Sequence, residues 1–309
     1  MPRIIVAASV NMDIVARTDH HPRAGETVAG SELRYIPGGK GANQATAAGR
    51  LGGDVSVIGK VGDDNSGATL TAFLNAENLD TTHVTVAHDT PSGTALIVVD
   101  SASENTIVII AGANGKLSPA DLDGVTINAG DIVVTQFEIP QETVSALFRK
   151  AKANQATTVL NAAPAKECPP ELLTATDYLL VNETELAFFA KSDSVPQTED
   201  DIVTAAKKLR VREDQTIVVT LGAKGALCVH GDSVIAMTGY NVKAIDTTAA
   251  GDCFVGAFAV GLAETMQLDE ALNFANASAA LSVQTLGASS SLPTRDAVTK
   301  FIIKQLKGG

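Results

Sequence analysis

The seven residues Asp246-Thr247-Thr248-Ala249-Ala250-Gly251-Asp252 concentrate more potential chemistry than any other stretch of the chain. The part from Thr248 to Asp252 stands directly before an amphipathic segment. Small residues at a helix start leave the first-turn N–H groups open, and with the helix dipole they form a site for an anion. An aspartate in such a site repels phosphate, so Asp252 reads in two ways. It is a favoured N-terminal residue that caps the helix and complements its dipole, and on this segment alone that is the simpler reading. Alternatively, it removes a proton from an attacking hydroxyl while the adjacent amides stabilise charge on a transferred phosphoryl group.

Two further segments have the same double character. Asn182-Glu183-Thr184-Glu185 follows an apolar run and opens a helix. Hard oxygen ligands of this kind suit Mg²⁺ held through water, but acidic residues also simply complement a helix start. Pro37-Gly38-Gly39-Lys40-Gly41-Ala42-Asn43-Gln44 matches neither G-x-x-x-x-G-K-[ST] nor G-x-G-x-x-G, because Gln44 holds the last glycine position. Its paired glycines permit a close backbone approach and Asn43 can bond hydroxyls; a tight turn before a helix explains the same residues.

The elements that must carry these segments alternate along the chain. Short β-branched runs at 4–9, 55–60, 132–137, 157–160, 178–181 and 217–221 predict strands. Helical patterns lie near 41–52, 65–77, 141–154, 183–190, 200–211, 252–264, 268–286 and 294–306. This order predicts an α/β fold with a Rossmann-like, mainly parallel sheet flanked by helices. Several runs end in a polar residue: Asn11 and Asp13 after 4–10, then Glu138, Asn161, Asn182 and Thr220. Strand ends form the ligand crevice of open parallel sheets, although every strand meets polar residues where it surfaces. Residues 12–37 and 94–110 break the alternation, the second as a hairpin. They are either two surface excursions or one small β-sheet lid.

Composition narrows the function classes. With 23 Lys+Arg against 35 Asp+Glu the formal charge is −12, which repels nucleic acid and anionic membranes. A phosphate-bearing substrate must then be captured locally. Cys168, Cys228 and Cys253 form no C-x-x-C pair and fit reduced cytosolic thiols. No membrane span is expected, and the start of the chain reads as entering the fold without a signal peptide, so a cytoplasmic protein is expected.

In combination these segments resemble the ribokinase (PfkB-type) carbohydrate kinase family, in its ribokinase branch. The likeness runs nearly end to end through Asn11-Met12-Asp13, Pro22-x-x-Gly25-Glu26-Thr27, Gly38 to Gln44, Gly59-x-x-Gly62-Asp63-Asp64, Asn161 to Ala165, Asn182 to Glu185, Thr220-Leu221-Gly222-x-x-Gly225 and Asp246 to Asp252. The resemblance implies one kinase domain over 1–309 with a lid from about 12–37 and 94–110. It implies ATP-dependent phosphorylation of D-ribose at O5, with Asp252 as the base and the amides of Ala249, Ala250, Gly251 and Asp252 as an anion hole. Asn11, Met12, Asp13, Gly39, Lys40, Gly41, Ala42, Asn43 and Glu138 would hold the sugar. Asn182, Thr220, Leu221, Gly222, Ala223, Lys224, Gly225, Gly251 and Asn276 would hold ATP. Asn182 and Glu185 would position Mg²⁺ through water. Asp246, Thr248, Ser282, Thr285, Gly287 and Ser291 would hold an activating K⁺, several through backbone carbonyls. A homodimer through the lid is implied as well.

Many relatives have Gly-Ala-Gly-Asp where this chain has Ala249-Ala250-Gly251-Asp252, and an alanine amide donates equally well at negative φ. A 2-deoxyribokinase sharing the Gly38–Gln44 segment is the nearest alternative activity. Fructokinase and nucleoside kinase are further off, the latter because aromatic content is only 4%. A catalytically dead sugar-binding regulator is opposed by intact Asp252, Lys40 and Asn182–Glu185 and by the lack of an appended DNA-binding segment. A nicotinamide-dependent dehydrogenase is opposed by the missing glycine fingerprint.

Overall fold

A computed structural model describes residues 2–102 and 104–308. Alternation along each central strand divides the apolar side chains between two cores. Ile4 and Val6 of β1 (Ile4–Ala7) enter one, with Val134 and Val218; Ile5 and Ala7 enter the other, with Val133, Ile217 and Val219. On the first face lie α1 (Lys40–Arg50), α2 (Asn65–Ala76), α7 (Ala250–Ala263), α8 (Leu268–Ser282) and α9 (Arg295–Gly308). The second is covered by α3 (Gln141–Ala153), α4 (Pro170–Thr174), α5 (Glu183–Phe189) and α6 (Glu199–Leu209). Both faces of the sheet are thus dry, as a mainly parallel sheet requires.

The nine-stranded sheet adds to β1 the strands β4 (Val55–Gly62), β5 (Asp80–Ala87), β8 (Ile132–Gln136), β9 (Thr157–Asn161), β10 (Tyr178–Asn182), β11 (Thr216–Thr220), β12 (Gly225–His230) and β13 (Ser233–Thr238). Their order is β13-β12-β11-β10-β9-β8-β1-β4-β5, and only β12 runs against the rest, antiparallel to both of its neighbours. From β1 the chain winds to β4 and β5, then returns to β8 on the other side. The winding reverses between β1 and β8, which opens a crevice at their C-terminal ends.

A separate four-stranded sheet, ordered β3-β2-β6-β7, contains β2 (Asn11–Thr18), β3 (Gly30–Gly38), β6 (Gly93–Val99) and β7 (Asn105–Ile110). The two excursions therefore combine into one sheet. The apolar run at 4–10 is not one strand: β1 ends at Ala7, and Asn11 opens β2 of the small sheet. Asn114 holds this junction by accepting from the Val10 amide at 2.8 Å. Asn11 and Asp13 thus stand where the two sheets meet.

Three strands lie outside the sequence expectation. β5 reads Asp-Thr-Thr-His-Val-Thr-Val-Ala and is half exposed at the sheet edge; β12 and β13 follow β11 through a glycine-bounded turn with little polar alternation. The helix expected at 268–286 stops at Ser282, because the Val283 carbonyl accepts from the amides of Ile245 and Asp246 at 2.7 and 3.1 Å. Among the described residues, no helix is long and apolar enough to cross a membrane.

Candidate active site

Two helices that start at opposite lips of the crevice bring the reactive groups together. Helix α1 begins at Gly39, whose φ of 93° lies in the left-handed region. A Cβ there would stand 2.8 Å from both the Ser9 carbonyl oxygen and the Asn11 amide nitrogen, so only glycine lets the turn seat on the end of β1. Helix α7 crosses α1 at Gly256. A Cβ at that position would meet the Ala47 side chain at 2.7 Å, so the missing side chain sets the depth of the crossing. Close contact places Asn43 and Gln44 of α1 against Asp252 of α7.

Asp252 is buried, and both carboxylate oxygens are held. Asn43 Nδ2 donates to Oδ2 at 3.1 Å and Gln44 Nε2 donates to Oδ1 at 3.1 Å. Burial pushes this carboxyl above its ordinary range, while the Lys40 ammonium and the two amides pull it back. Asp252 reciprocally raises Lys40, with help from Glu138 and Glu185. Glu138 is fixed by the Ser9 hydroxyl at 2.7 Å and the Lys40 amide at 3.2 Å. Asp13 is pushed up to about 7 by burial and by the neighbouring charges of Glu138 and Asp252. Asp252, Glu138 and Glu185 thus surround one lysine, with Asp13 beyond Glu138 and Asp252.

Asp13 opens onto a cavity of about 430 Å³ between the small sheet and loops 244–248 and 286–288. Its neighbour Asn11 receives the Asn114 side-chain amide at 2.6 Å through Oδ1. Gly38 and Gly93 keep this corner open, since a Cβ at either would drive into Asp13 or into Asn11 and Asn114. Met12 does not face the cavity: alternation along β2 turns it into the apolar core. Ala42 likewise packs in that core, and Gly41 lies against Ala8.

A second cavity of about 250 Å³ is bordered by Lys40, Asn182, Glu185, Thr220, Gly251 and Asp252, among others. Here the structure corrects one expectation. Ala249 has φ 60°, not a negative φ, and caps α7 from the left-handed region. The Ala250 amide turns back to the Thr247 carbonyl at 3.2 Å. Among the described residues no carbonyl takes the amides of Ala249, Gly251 and Asp252, which leaves these three as the open donors of the helix start. Asn182 and Glu185 form a reciprocal capping box, with Glu185 N donating to Asn182 Oδ1 at 2.8 Å and Asn182 N to Glu185 Oε2 at 2.9 Å. The capping and ligand readings are therefore compatible, because Glu185 Oε1 has no protein partner among the described residues. Burial raises the Glu185 carboxyl.

A third cavity, of about 230 Å³, is largely apolar and continues from the second past Thr220 and Gly251. Gly222, Ala223, Gly225 and Asn276 border it, and Asn276 Nδ2 is anchored on the Thr238 carbonyl at 2.8 Å. Leu221 instead packs on the second core, and Lys224 turns outward toward Glu183, 3.7 Å away.

The residues expected at a monovalent cation fold into one corner. Asp246 accepts from Thr248 N and Oγ1 at 2.9 and 2.6 Å and from Gly287 N at 2.8 Å. Burial raises this carboxyl, but those hydrogen bonds outweigh it and hold Asp246 below its usual value. Ser282 and Ser291 direct their hydroxyls to the carbonyls of Ala279 and Ala288. Thr285 is exposed beside them. Asp246 thereby staples the loop before α7 to the loop after α8.

Residues 1–295 match the model of the pfkB family carbohydrate kinases. The chain belongs to that family. It is 38% identical to the ribokinase of Haemophilus influenzae over 97% of this chain and 98% of that protein. The crystal structure of a ribokinase from Thermotoga maritima is 36% identical, with a TM-score of 0.87 over 98% of this chain and 99% of the other. The Arabidopsis thaliana ribokinase complexed with ribose and ATP is 31% identical, again with a TM-score of 0.87, over 97% and 98% of the two chains.

The three cavities share lining residues around Thr247, which borders all of them. Ser9, Gln44, Asn114 and Asn161 are hydrogen-bonded into the site but carry no role in the sequence reading. Asn161 was visible as a polar strand end; Ser9 and Asn114 have no pattern that separates them from loop residues.

Proposed function

We propose that this chain is a kinase that transfers the γ-phosphoryl group of ATP to O5 of D-ribose, giving ribose 5-phosphate. One observation carries the reading. Asp252 stands, buried and held on both oxygens, at the cavity bordered by the open amides of α7 and by Lys40, with Asp13 close enough to feel its charge. A base is useful there only if a hydroxyl and a phosphoryl group meet at the same point. The similarity to ribokinases, one of them complexed with ribose and ATP, selects the sugar.

Sugar hydroxyls are held by Asn11, Asp13, Asn43 and Glu138 at the junction of the two sheets. Asp252 takes the proton from the primary hydroxyl as its oxygen attacks the γ-phosphorus. Lys40 and the amides of Gly251 and Asp252 face the charge that accumulates on the transferred oxygens. The apolar third cavity receives the nucleotide base. Closure of the small sheet over the sugar would exclude water and limit ATP hydrolysis.

Glu185 and Asn182 would hold Mg²⁺ through water, and the free Glu185 Oε1 beside the phosphate cavity fits that role. When bound, the ion supplies charge neutralisation on the phosphates. Asp246 holds the loops on either side of this corner together, and the backbone carbonyls they carry are the groups that would bind a monovalent cation such as K⁺. One face of the small sheet exposes Leu33, Tyr35, Leu96 and Val108, and pairing of two copies through it would cover them.

ADP release measured with ribose, 2-deoxyribose, fructose and adenosine, each with and without K⁺, tests the reading. Ribose is expected to be the best acceptor and K⁺ to raise turnover. Preference for fructose or adenosine, or no turnover with any acceptor, contradicts it.

A further inference from the structure

Gln44 is fully buried and borders none of the three cavities described above, yet it makes two side-chain hydrogen bonds of consequence. Its Nε2 donates to Asp252 Oδ1 at 3.1 Å and to Asn161 Oδ1 at 3.1 Å, while its Oε1 is buried without a partner. A buried orphan acceptor is unfavourable and needs a reason. The alternative rotamer would exchange Oε1 and Nε2 and place an oxygen against the carboxylate.

The sense of the amide is set from a distance. Asn161, the last residue of β9, directs Nδ2 to the Leu180 carbonyl of β10 at 3.4 Å. A carbonyl only accepts, so Asn161 must present its oxygen on the other side, and Gln44 must then donate to it. With Nε2 committed in that direction, its second hydrogen falls on Asp252. The chain Leu180 O, Asn161, Gln44, Asp252 runs head to tail from the sheet to the base. Asn43 repeats the arrangement from the neighbouring position, donating to Oδ2 with its own Oδ1 buried and unpartnered.

We infer that Gln44, oriented by Asn161, is a positioning residue that holds Asp252 in its ionised form and fixes which carboxylate lone pair meets the substrate hydroxyl. This rests on the reading of Asp252 as the base. An ionised carboxylate satisfies both N–H donors; a protonated one would set its own O–H against them. The unpartnered Gln44 oxygen is the cost of aiming that amide at a charged base. Other charged and titratable groups facing Asp252 are Lys40 of α1, Glu138 beyond β8, Asp13 of β2, Glu185 of α5 and the adjacent Cys253. Of these only Lys40 favours the ionised form, so the amides carry a substantial share of that task.

The test compares the pH profile of ribose kcat for the wild-type enzyme, Gln44→Met, Gln44→Glu and Asn161→Leu, with Tm recorded for each. Removing a donor to a carboxylate raises its pKa, so the acid limb should move to higher pH, by about one pH unit in Gln44→Met, with kcat at neutral pH lower by about tenfold. Gln44→Glu keeps the shape but adds a like charge, and its limb should move further. Asn161→Leu, which touches Asp252 only through Gln44, should move it in the same direction by less. KM for ATP is expected to stay near the wild-type value. A folded Gln44→Met or Gln44→Glu enzyme with an unshifted acid limb overturns the inference while leaving Asp252 as base intact. A wild-type enzyme without sugar-dependent ADP release overturns both.

Discussion

Asp252 and Asp13 are both buried carboxyls raised above their ordinary range, but their surroundings assign them different work. Asp252 has a lysine and two amide donors and lies beside the open amides of α7; Asp13 has no such donors among the described residues and faces the cavity under the small sheet. The Asp13 carboxyl titrates near about 7 in the fold, against 3.8 when unperturbed. Between those values the folded protein binds a proton that the unfolded chain does not. Its contribution to stability is therefore greatest at the acid end of that window and falls as pH rises toward 7. Asp13→Asn removes this decline. At pH 8 the variant is expected to melt higher than the wild type, by about 2–4 °C for each kcal/mol relieved, and the difference should vanish near pH 4. Sugar KM should rise at the same time. Melting curves at the two pH values check this, and an equal difference at both would contradict it.

At the scale of elements, the site depends on the α1–α7 crossing and on the left-handed start of α7. Gly256→Val should force the helices apart, costing about 1–3 kcal/mol and lowering kcat as Gln44 and Asp252 separate. A variant with unchanged Tm and kcat would show that the crossing is not tight. Ala249→Gly should raise stability by about 0.5–1 kcal/mol, because glycine occupies positive φ without a Cβ clash; denaturant unfolding measures it. The alternating pattern revealed the central strands and most helices, because two dry sheet faces demand it. It missed β5, β12 and β13, where edge exposure or uniform apolarity erases the alternation. The polar strand ends Asn161, Asn182 and Thr220 were readable because they follow buried runs directly. The break between β1 and β2 is not readable, so Asn11 reads as the end of the first strand, whereas Asp13 falls in the 12–37 stretch expected in the small sheet; only tertiary contacts such as Asn114 to Val10 show where β1 stops. The positive φ of Ala249 was hidden, because alanine advertises no such conformation.

Over the whole molecule, a net charge of −12 leaves any bound phosphate dependent on local donors, and the small sheet forms one wall of the cavity that Asp13 borders. That sheet also carries the largest exposed apolar side chains of β3 and β7, Tyr35 at 63% and Val108 at 60%. If it pairs two copies, Val108→Lys should shift sedimentation toward monomer and weaken ribose binding more than ATP binding. Unchanged sedimentation of a wild-type dimer would move the interface elsewhere. The central claim is that a buried aspartate at the start of α7 deprotonates a ribose hydroxyl for phosphoryl transfer. Its most direct test is ribose-dependent ADP release by Asp252→Asn beside the wild type. The account predicts a loss of at least about 10²–10⁴-fold in kcat. Near-normal turnover in the variant would contradict it.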